Sequence, residues 1–192
     1  VADVTYKYAV NFNVDNANYN SQIVEKGYTA TLPTPPVKDG YEFDGWSIDG
    51  KNIISVNEQV ITDDITFVAM FTKLHNVTFM YEDGSINNQV IRNGELVEPV
   101  NVEDTTYKIF KGWLVNGTSV NLNTYKIVAD TTFVANILYK YDVVFNVDGE
   151  VYNSQIIEQN KYITSPAVPL KDGYVFVGWS IDGLTAFNIT SH

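Results

Sequence analysis

Residues 43–50 read Phe-Asp-Gly-Trp-Ser-Ile-Asp-Gly, and a version of this stretch occurs three times in the chain. Each version has a Phe two residues before a Gly-Trp pair and an Asp-Gly or Asn-Gly pair shortly after the Trp. The Gly-Trp pairs are Gly45-Trp46, Gly112-Trp113 and Gly178-Trp179. Because the tryptophans are 67 and then 66 residues apart, the pattern indicates a tandem repeat, not one large domain.

The similarity extends well beyond the tryptophans. In a gapless overlay, about 28 of the 45 positions from Tyr6 to Gly50 are identical to those from Tyr139 to Gly183. The middle copy keeps the aromatic and turn positions and differs at most others. We predict a first repeat over residues 1–73, a second over 74–138 and a third over 139–192. In this assignment residues 1–5 are the end of a preceding repeat, and the third repeat stops before its last strand.

The composition excludes several classes of function. The 192 residues are 45% hydrophobic, 14% aromatic and 18% charged, which is typical of soluble globular proteins, and no apolar run is long enough to cross a membrane. A net charge of −11 disfavours binding to nucleic acid or to bare anionic membranes. With no cysteine and only two histidines, the chain has no disulfides and little material for a transition-metal site. The chain begins at Val1 without a signal peptide, so we interpret it as part of a longer protein.

Alternation of apolar and polar residues predicts strands. Val10, Phe12 and Val14 alternate with asparagines, which is the period of a strand with one buried face. Asp15-Asn16 follows as a turn, and a second strand passes through residues 22–24, so the two strands form a predicted hairpin. The other two copies show the same order of strand, turn and strand.

A proline-rich loop separates this hairpin from the Trp strand. Proline has no N–H to donate, so residues 33–36 break the sheet, and we predict a crossing loop with one short helical turn. The Trp strand then enters a predicted two-residue hairpin at Asp49-Gly50, as it does at the equivalent pairs in the other copies, Asn116-Gly117 and Asp182-Gly183. The last strand passes through residues 65–71.

The order of these features resembles the Listeria–Bacteroides repeat, the B repeat of internalin-type surface proteins. The resemblance covers nearly the whole chain. The matching residues of the first copy are Gly40, Tyr41, Phe43, Gly45, Trp46, Asp64, Thr66, Phe67 and Ala69. Those of the third copy are Gly173, Tyr174, Phe176, Gly178 and Trp179. The middle copy departs, because Thr106-Tyr107-Lys108 stands where Gly-Tyr is expected.

The resemblance implies a mainly β fold of tandem β-grasp-like repeats, each a small mixed sheet with little or no helix, arranged as a rod. In such a repeat the first and last strands lie parallel and adjacent. The family is non-catalytic and has no catalytic, cofactor or metal residues to transfer to this chain, so we predict neither an enzyme nor a cofactor. It implies a stalk or adhesion module of a secreted or cell-wall-anchored bacterial surface protein, facing a protein or glycan of a host or bacterial surface. The alternative is a carbohydrate-binding module that uses exposed aromatic residues.

Few residues are candidates for ligand contact. The tryptophans are expected in the core, since modules this small need their buried area. Tyr19 and Tyr152, both in Tyr-Asn-Ser-Gln-Ile, are the candidates for an exposed contact. Asp63-Asp64 lacks the spacing of an EF-hand loop and is interpreted as a solvated turn, and His75 as a surface residue of the first junction.

The junctions and the ends suggest how repeats connect. Five residues separate the strand that ends at Phe71 from the one that begins at Val77, without a Gly, Pro or Ser run, so we predict restricted motion between repeats. The third repeat should present an unpaired sheet edge. We hypothesise head-to-tail self-association, in which this edge pairs with the N-terminal segment, residues 1–5, of a neighbouring molecule.

Overall fold

The computed structural model describes residues 4–187 and residue 189. The chain divides into two compact units that are each discontinuous in sequence. Unit 1 comprises Val1–Phe79, Asn87–Glu98 and Leu122–Thr132, and unit 2 comprises Met80–Ile86, Pro99–Asn121 and Phe133–His192. The first predicted repeat thus lies in unit 1 and the third in unit 2, while the middle repeat contributes to both. The boundaries at 73 and 138 remain predictions.

The regular structure of the described residues is almost entirely β, which confirms the predicted fold class. The first strands are β1 (Lys7–Val14), β2 (Ala17–Glu25), β3 (Tyr41–Ser47), β4 (Ile53–Ile54), β5 (Ile65–Met80) and β6 (Ile86–Arg92). The remaining strands are β7 (Lys108–Val115), β8 (Thr118–Val120), β9 (Thr131–Val147), β10 (Glu150–Glu158), β11 (Trp179–Ser180) and β12 (Ala186–Phe187). One 3₁₀ turn, Val56–Glu58, follows β4. The helical turn predicted in the proline-rich loop is absent from residues 31–37, so that prediction was wrong.

The predicted first hairpin is confirmed. β1 and β2 pair antiparallel, and the side chains of Val10 and Phe12 are fully buried while the asparagines between and beside them are not. Asp15 and Asn16 have φ values of 48° and 67°, the left-handed conformation that a tight turn between twisted strands requires. The local sequence pattern was therefore sufficient to predict this hairpin.

β5 organises the first repeat. Its first residues pair parallel with β1, from Val10↔Ile65 to Asn13↔Val68, as the resemblance implied. The next residues pair antiparallel with β3, from Ser47↔Val68 to Tyr41↔Lys73. The repeat therefore closes only when its last strand has joined both the first strand and the Trp strand.

The two strands expected on either side of each junction are in fact one strand. β5 runs from Ile65 to Met80 without a break, and β9 runs from Thr131 to Val147. In unit 2, β7 pairs antiparallel with the first part of β9, and β10 pairs antiparallel with residues 140–147. The prediction of separate strands with a short connection was therefore wrong, because the connecting residues continue the same extended backbone.

The turn after the Trp strand differs between repeats. The two-residue hairpin is confirmed only in the middle repeat, where Val115 pairs with Thr118 and Asn116 and Gly117 both have positive φ. In the first repeat Ser47 pairs with Ile53, and in the third Ser180 pairs with Ala186. The loops there are longer than predicted, residues 48–52 and 181–185.

The third repeat is less regular than the first. β11 and β12 form a two-stranded sheet of their own, and within the described residues β11 has no partner other than β12. Of the segment proposed for head-to-tail pairing, Val1-Ala2-Asp3 lies outside the described residues. Val4 and Thr5 are exposed and belong to no strand. That association remains a proposal.

Candidate functional site

Each tryptophan is the centre of a cluster of aromatic rings. Phe12 meets Trp46 edge-on with ring centroids 4.9 Å apart, and Phe43 meets it at 5.5 Å. Phe67 of β5 stacks on Phe12 with ring centroids 5.0 Å apart. Trp46 and Trp113 are only 2% and 3% exposed, which confirms them as core residues. Neither ring can stack on a ligand without opening the fold.

The glycine before the tryptophan produces a β-bulge. The register between β3 and β5 shifts between Phe43 and Gly45, and Gly45 has φ 143°. A Cβ atom there would lie 2.7 Å from Cγ2 of Ile53, and a Cβ on Gly178 would lie 2.9 Å from Cβ of Ala186. The glycine therefore supplies an unusual φ and, at Gly45 and Gly178, the space for close packing.

Tyr19 and Tyr152 occupy equivalent, partly exposed positions beside these clusters. The two side chains are 44% and 42% exposed, and their rings lie 6.2 Å and 5.9 Å from the rings of Trp46 and Trp179. The Tyr19 hydroxyl donates to the carbonyl oxygen of Thr34 at 3.1 Å. Both tyrosines thus contact the aromatic cluster and remain partly exposed. Their role in ligand contact stays a prediction.

An aspartate side chain builds the loop after the Trp strand in the first repeat. Asp49 Oδ1 accepts hydrogen bonds from the backbone N–H groups of Lys51 and Asn52, both at 2.8 Å, and from the Ser47 hydroxyl. These bonds, with that of the Asn52 N–H the strongest, hold the pKa of Asp49 far below its usual value.

The third repeat rebuilds the same loop. The bond from the Thr185 N–H and those from Ser180 and Leu184 lower the pKa of Asp182 to about 2. The middle repeat has Leu114 where the other repeats have the serine, and Asn116 where they have the aspartate. The Ser-Ile-Asp-Gly sequence therefore explains why the outer repeats form a longer loop than the predicted hairpin.

A glutamine side chain holds the crossing loop in all three repeats. The amide of Gln22 donates to the carbonyl oxygen of Thr31 at 2.6 Å and accepts from its N–H at 2.9 Å, as a neighbouring strand would. Gln89 makes the same pair of bonds with Glu98, and Gln155 makes them with Thr164. The recurrence of a glutamine at this one position of all three repeats is the sequence signal for this contact.

Asp63 and Asp64 are exposed, as predicted for a solvated turn, but Asp64 has a second role. Its carboxylate accepts the backbone N–H of Ala9 at 2.8 Å and so fastens the start of β5 to β1. Asp130 does the same for the N–H of Asn76 at 2.9 Å. Among the described residues no group of three or more His, Asp or Glu side chains could hold a metal ion.

His75 is buried, which corrects the prediction of a surface residue. It lies in β5 at the first junction and is 3% exposed. Its Nε2 lies 3.1 Å from the side-chain oxygen of Asn93, and its Nδ1 lies 3.6 Å from the Asp130 carboxylate. The strand continues through the junction, so the imidazole packs inside unit 1 and not in a solvated linker.

Arg92 joins β6 to the Trp strand of the preceding repeat. Its guanidinium donates to the carboxylates of Glu42 and Asp44 and to the hydroxyl of Thr72. The bond to Asp44, followed by that to Glu42, raises the pKa of Arg92. A forked cation held by two carboxylates is a more directional contact than a single surface ion pair.

The middle repeat carries a polar cluster of a different kind. Glu82 accepts from both the Lys108 ammonium and the Tyr139 hydroxyl, and these bonds lower the pKa of Glu82, with Lys108 the larger cause. In the outer repeats a lysine before the Trp strand reaches the hairpin turn instead, as Lys38 does to Asp15 at 2.8 Å.

The comparisons with known proteins agree with this architecture. A sequence model of the Listeria-Bacteroides repeat domain matches residues 8–70, 75–136 and 141–192. Two Evansella cellulosilytica proteins, provisionally named as a membrane protein and a Gly-rich membrane protein, are 28% and 26% identical over 92% and 93% of the chain. Internalin H of Listeria monocytogenes is 26% identical over 50% of the chain.

These relatives are much longer than the chain, and the aligned parts cover 28%, 22% and 18% of their lengths, respectively. No helix in the described residues is long and apolar enough to span a bilayer. Three successive matches of one repeat cover most of the sequence, and the structure places the repeated Gly-Trp pair in equivalent aromatic clusters. The chain therefore belongs to the Listeria-Bacteroides repeat domain family and is a tandem-repeat segment of the bacterial surface-protein type.

Proposed function

We propose that the chain is a non-catalytic stalk that spaces and presents other domains of a secreted or cell-wall-anchored surface protein and carries tension along its length. The observation that supports this most strongly is the continuity of β5 and β9. Each strand closes one repeat with its first half and opens the next with its second half. A flexible linker would let neighbouring repeats turn freely, whereas a shared strand transmits both orientation and force.

The strand directions in the first repeat suit mechanical resistance. β1 and β5 are parallel neighbours, so tension that pulls the start of β1 away from the end of β5 loads their hydrogen bonds along the strand axis. In this geometry several bonds must break together. Antiparallel hairpins pulled from their open ends break one bond at a time.

Side-chain contacts reinforce the shared strand at the first junction. Arg92 contacts Glu42 and Asp44 across the junction, and buried His75 lies within β5 itself. In addition, the N–H of Leu74 donates to the carbonyl oxygen of Gly40 at 2.8 Å. The junction is therefore held by backbone, ionic and buried polar contacts together.

Single-molecule force spectroscopy of the chain, held at its two ends, tests the proposal. We expect the first repeat to unfold as one cooperative event at a force well above that of an unzipping hairpin. A variant with Gly-Gly-Ser-Gly inserted between Lys73 and Leu74 separates the two halves of β5 and should restore free bending at the junction. Smooth extension of the unmodified chain at low force would contradict a load-bearing role.

The surface location can be tested separately. Antibodies raised against the purified chain should label intact cells of the source organism, and external protease should remove the label without lysis. Labelling that appears only after lysis would place the protein inside the cell and contradict the proposal. This result would leave the mechanical measurements unaffected.

The exposed tyrosines favour a second candidate function, carbohydrate binding. Tyr19 and Tyr152 present partly exposed rings at equivalent positions of two repeats, and an aromatic ring can stack on a sugar ring. A glycan array with the purified chain tests this, and Tyr19→Ala with Tyr152→Ala should abolish any signal. Tyr28→Ala is a suitable control, because that tyrosine is 66% exposed but lies elsewhere. No consistent binding, or binding that survives the double substitution, would reject this candidate.

A further inference from the structure

The middle repeat contains a cavity of about 260 Å³ beside its Trp strand. Its apolar lining residues are Tyr81, Val102, Ala135 and Ile137, and all of its lining residues belong to unit 2. The strands of this repeat are formed from β6 to β9, so the cavity does not arise at an end of the chain. It arises from the side chains that the middle repeat carries.

In the first repeat two aromatic rings and a lysine stand at the equivalent positions. The ammonium nitrogen of Lys38 lies 4.7 Å from the ring centroid of Tyr41 and 5.3 Å from that of Phe71. The same nitrogen lies 2.8 Å from Asp15 at the hairpin turn. The first repeat therefore packs a ring and an ammonium group together beside this turn.

The strand register identifies the first side chain that differs. Phe71 of β5 pairs with Phe43 of β3, and Ile137 of β9 pairs with Phe110 of β7 in the same way. Ile137 is one of the cavity-lining residues. An isoleucine thus replaces a phenylalanine, and the space of an aromatic ring becomes available.

The lysine and the second ring are also replaced. When the tryptophans are aligned, Thr105 stands at the position of Lys38, and Lys108 stands at the position of Tyr41. The ammonium group of Lys108 donates to Glu82 and so takes over the ion pair at the hairpin turn. The lysine chain that covers the rings in the first repeat has no equivalent here.

Size and charge define what fits the cavity. An apolar cavity of about 150 Å³ is enough for benzene, so this one has room for a six-membered ring with a short substituent. The charged lining residues are the carboxylates of Glu82, Asp83 and Glu103 and the ammonium of Lys108. The surplus of carboxylates, on a chain of net charge −11, favours a cation.

We infer that this cavity binds a small aromatic amine in its ammonium form. The ring would lie against Ile137 and Tyr81, where the first repeat has the ring of Phe71. The ammonium group would face Asp83 and Glu103, which are exposed. This binding activity is separate from the role of the chain as a stalk, and neither depends on the other.

NMR titration of the intact isotope-labelled chain with phenethylamine tests the inference. We expect a dissociation constant of about a millimolar, as is usual for a ligand of this size. Resonances of residues 81–85 and 135–137 should shift, and so should the indole of Trp113, whose ring centroid lies 5.6 Å from that of Tyr81. Phenylacetate has the same ring and the opposite charge, and it should bind at least about tenfold more weakly.

Two variants test the ring and the charge separately. Ile137→Phe restores the ring of the first repeat and should weaken amine binding at least about tenfold, because the space is filled. Its matched control is Val134→Phe on the same strand, since Val134 is 42% exposed and does not line the cavity. Glu103→Gln changes an exposed residue and leaves the packing intact, and it should weaken binding of the amine but not of phenylacetate.

Several outcomes would overturn the inference. These are equal binding of phenylacetate and phenethylamine, full binding by a folded Ile137→Phe variant, and resonance shifts confined to the first and third repeats. Absence of binding at tens of millimolar amine would also overturn it. If Ile137→Phe does not fold, unchanged amine binding by Glu103→Gln would decide against the proposed position of the ammonium group.

Discussion

The first and third repeats have nearly the same sequence and yet differ in how completely they close. Both contain Gly-Trp-Ser-Ile-Asp-Gly, and both form the aromatic cluster and the aspartate loop. In the first repeat β3 spans Tyr41–Ser47 and Trp46 is 2% exposed, whereas β11 spans only Trp179–Ser180. The difference coincides with β5, for which the described part of the third repeat has no counterpart. The repeated motif alone therefore does not form the full Trp strand, and in the first repeat β5 closes the sheet by pairing with β1 and β3.

Removing the ring that β5 supplies should make the first repeat resemble the third. Phe67→Ala is expected to lower the free energy of unfolding of unit 1 by about 3–5 kcal/mol, because it empties a fully buried aromatic site. Urea denaturation followed by tryptophan fluorescence measures the change, and acrylamide quenching reports exposure of Trp46. The matched control is Thr66→Ala on the exposed face of the strand. A loss below about 1 kcal/mol would show that the core closes without this ring.

The bulge glycines should differ in their tolerance of a side chain. Gly45→Ala is expected to cost about 2 kcal/mol, from strain at φ 143° and from displacement of Ile53. Gly112→Ala introduces the backbone strain, but no atom lies within 4 Å of the added Cβ, so we expect a loss of stability of about 1 kcal/mol. Thermal denaturation of the two variants gives this comparison. Equal losses would assign the whole effect to backbone strain.

The glutamine that holds the crossing loop should have a smaller and more local effect. Gln22→Ala removes two hydrogen bonds to Thr31, and we expect a loss of about 1–2 kcal/mol. Hydrogen exchange should accelerate at Thr31, which loses its acceptor, and remain unchanged at the equivalent Glu98. Unchanged exchange at Thr31 would mean that the proline-rich loop is held by its own conformation.

Acid should destabilise the outer repeats through their aspartate loops. The pKa of Asp182 is lowered to about 2 by hydrogen bonds from Thr185, Ser180 and Leu184 in the folded state. Its contribution to stability is therefore complete above the unfolded pKa, 3.8, and is lost as the pH falls toward 2. The pKa of Asp49 is also lowered, so its contribution is lost in the same direction of pH. The middle repeat has Asn116 at this position, which does not titrate.

Unfolding measured between pH 2.5 and 7 tests this. The double variant Asp49→Asn and Asp182→Asn should be less stable at pH 7 and should lose less stability on acidification than the unmodified chain. Asp39→Asn provides a control in an exposed turn outside these loops. Identical pH profiles for the double variant and the unmodified chain would contradict the assignment.

Local patterns predicted the parts of the fold that depend on neighbouring residues. The alternation around Phe12 and the turn at Asp15-Asn16 were sufficient for the first hairpin, and the spacing of the tryptophans was sufficient for the repeat and its core. The prediction of a two-residue turn was wrong at Asp49. The Asp49 side chain accepts hydrogen bonds from Ser47 and from two backbone N–H groups, and these bonds stabilise a longer loop. Dipeptide preferences do not include such bonds.

The remaining errors concern contacts between residues far apart in sequence. His75 was wrongly predicted to be a surface residue, because nothing near it in sequence indicates that β5 continues through the junction. Asp64 is exposed as predicted, but its hydrogen bond with Ala9 could not be predicted, because Ala9 belongs to the first strand. The candidate contacts Tyr19 and Tyr152 are exposed as predicted, but exposure is a property of the fold and does not identify a ligand.

Residue-resolved hydrogen exchange of the unmodified chain tests most directly whether the last strand closes each repeat. The account predicts slow exchange for the amides of β3 that bond to β5, and fast exchange for residues 174–178, although the two segments share their aromatic and glycine positions. Equal protection of the two segments would contradict it, because it would show that the Trp strand forms without the strand that β5 represents.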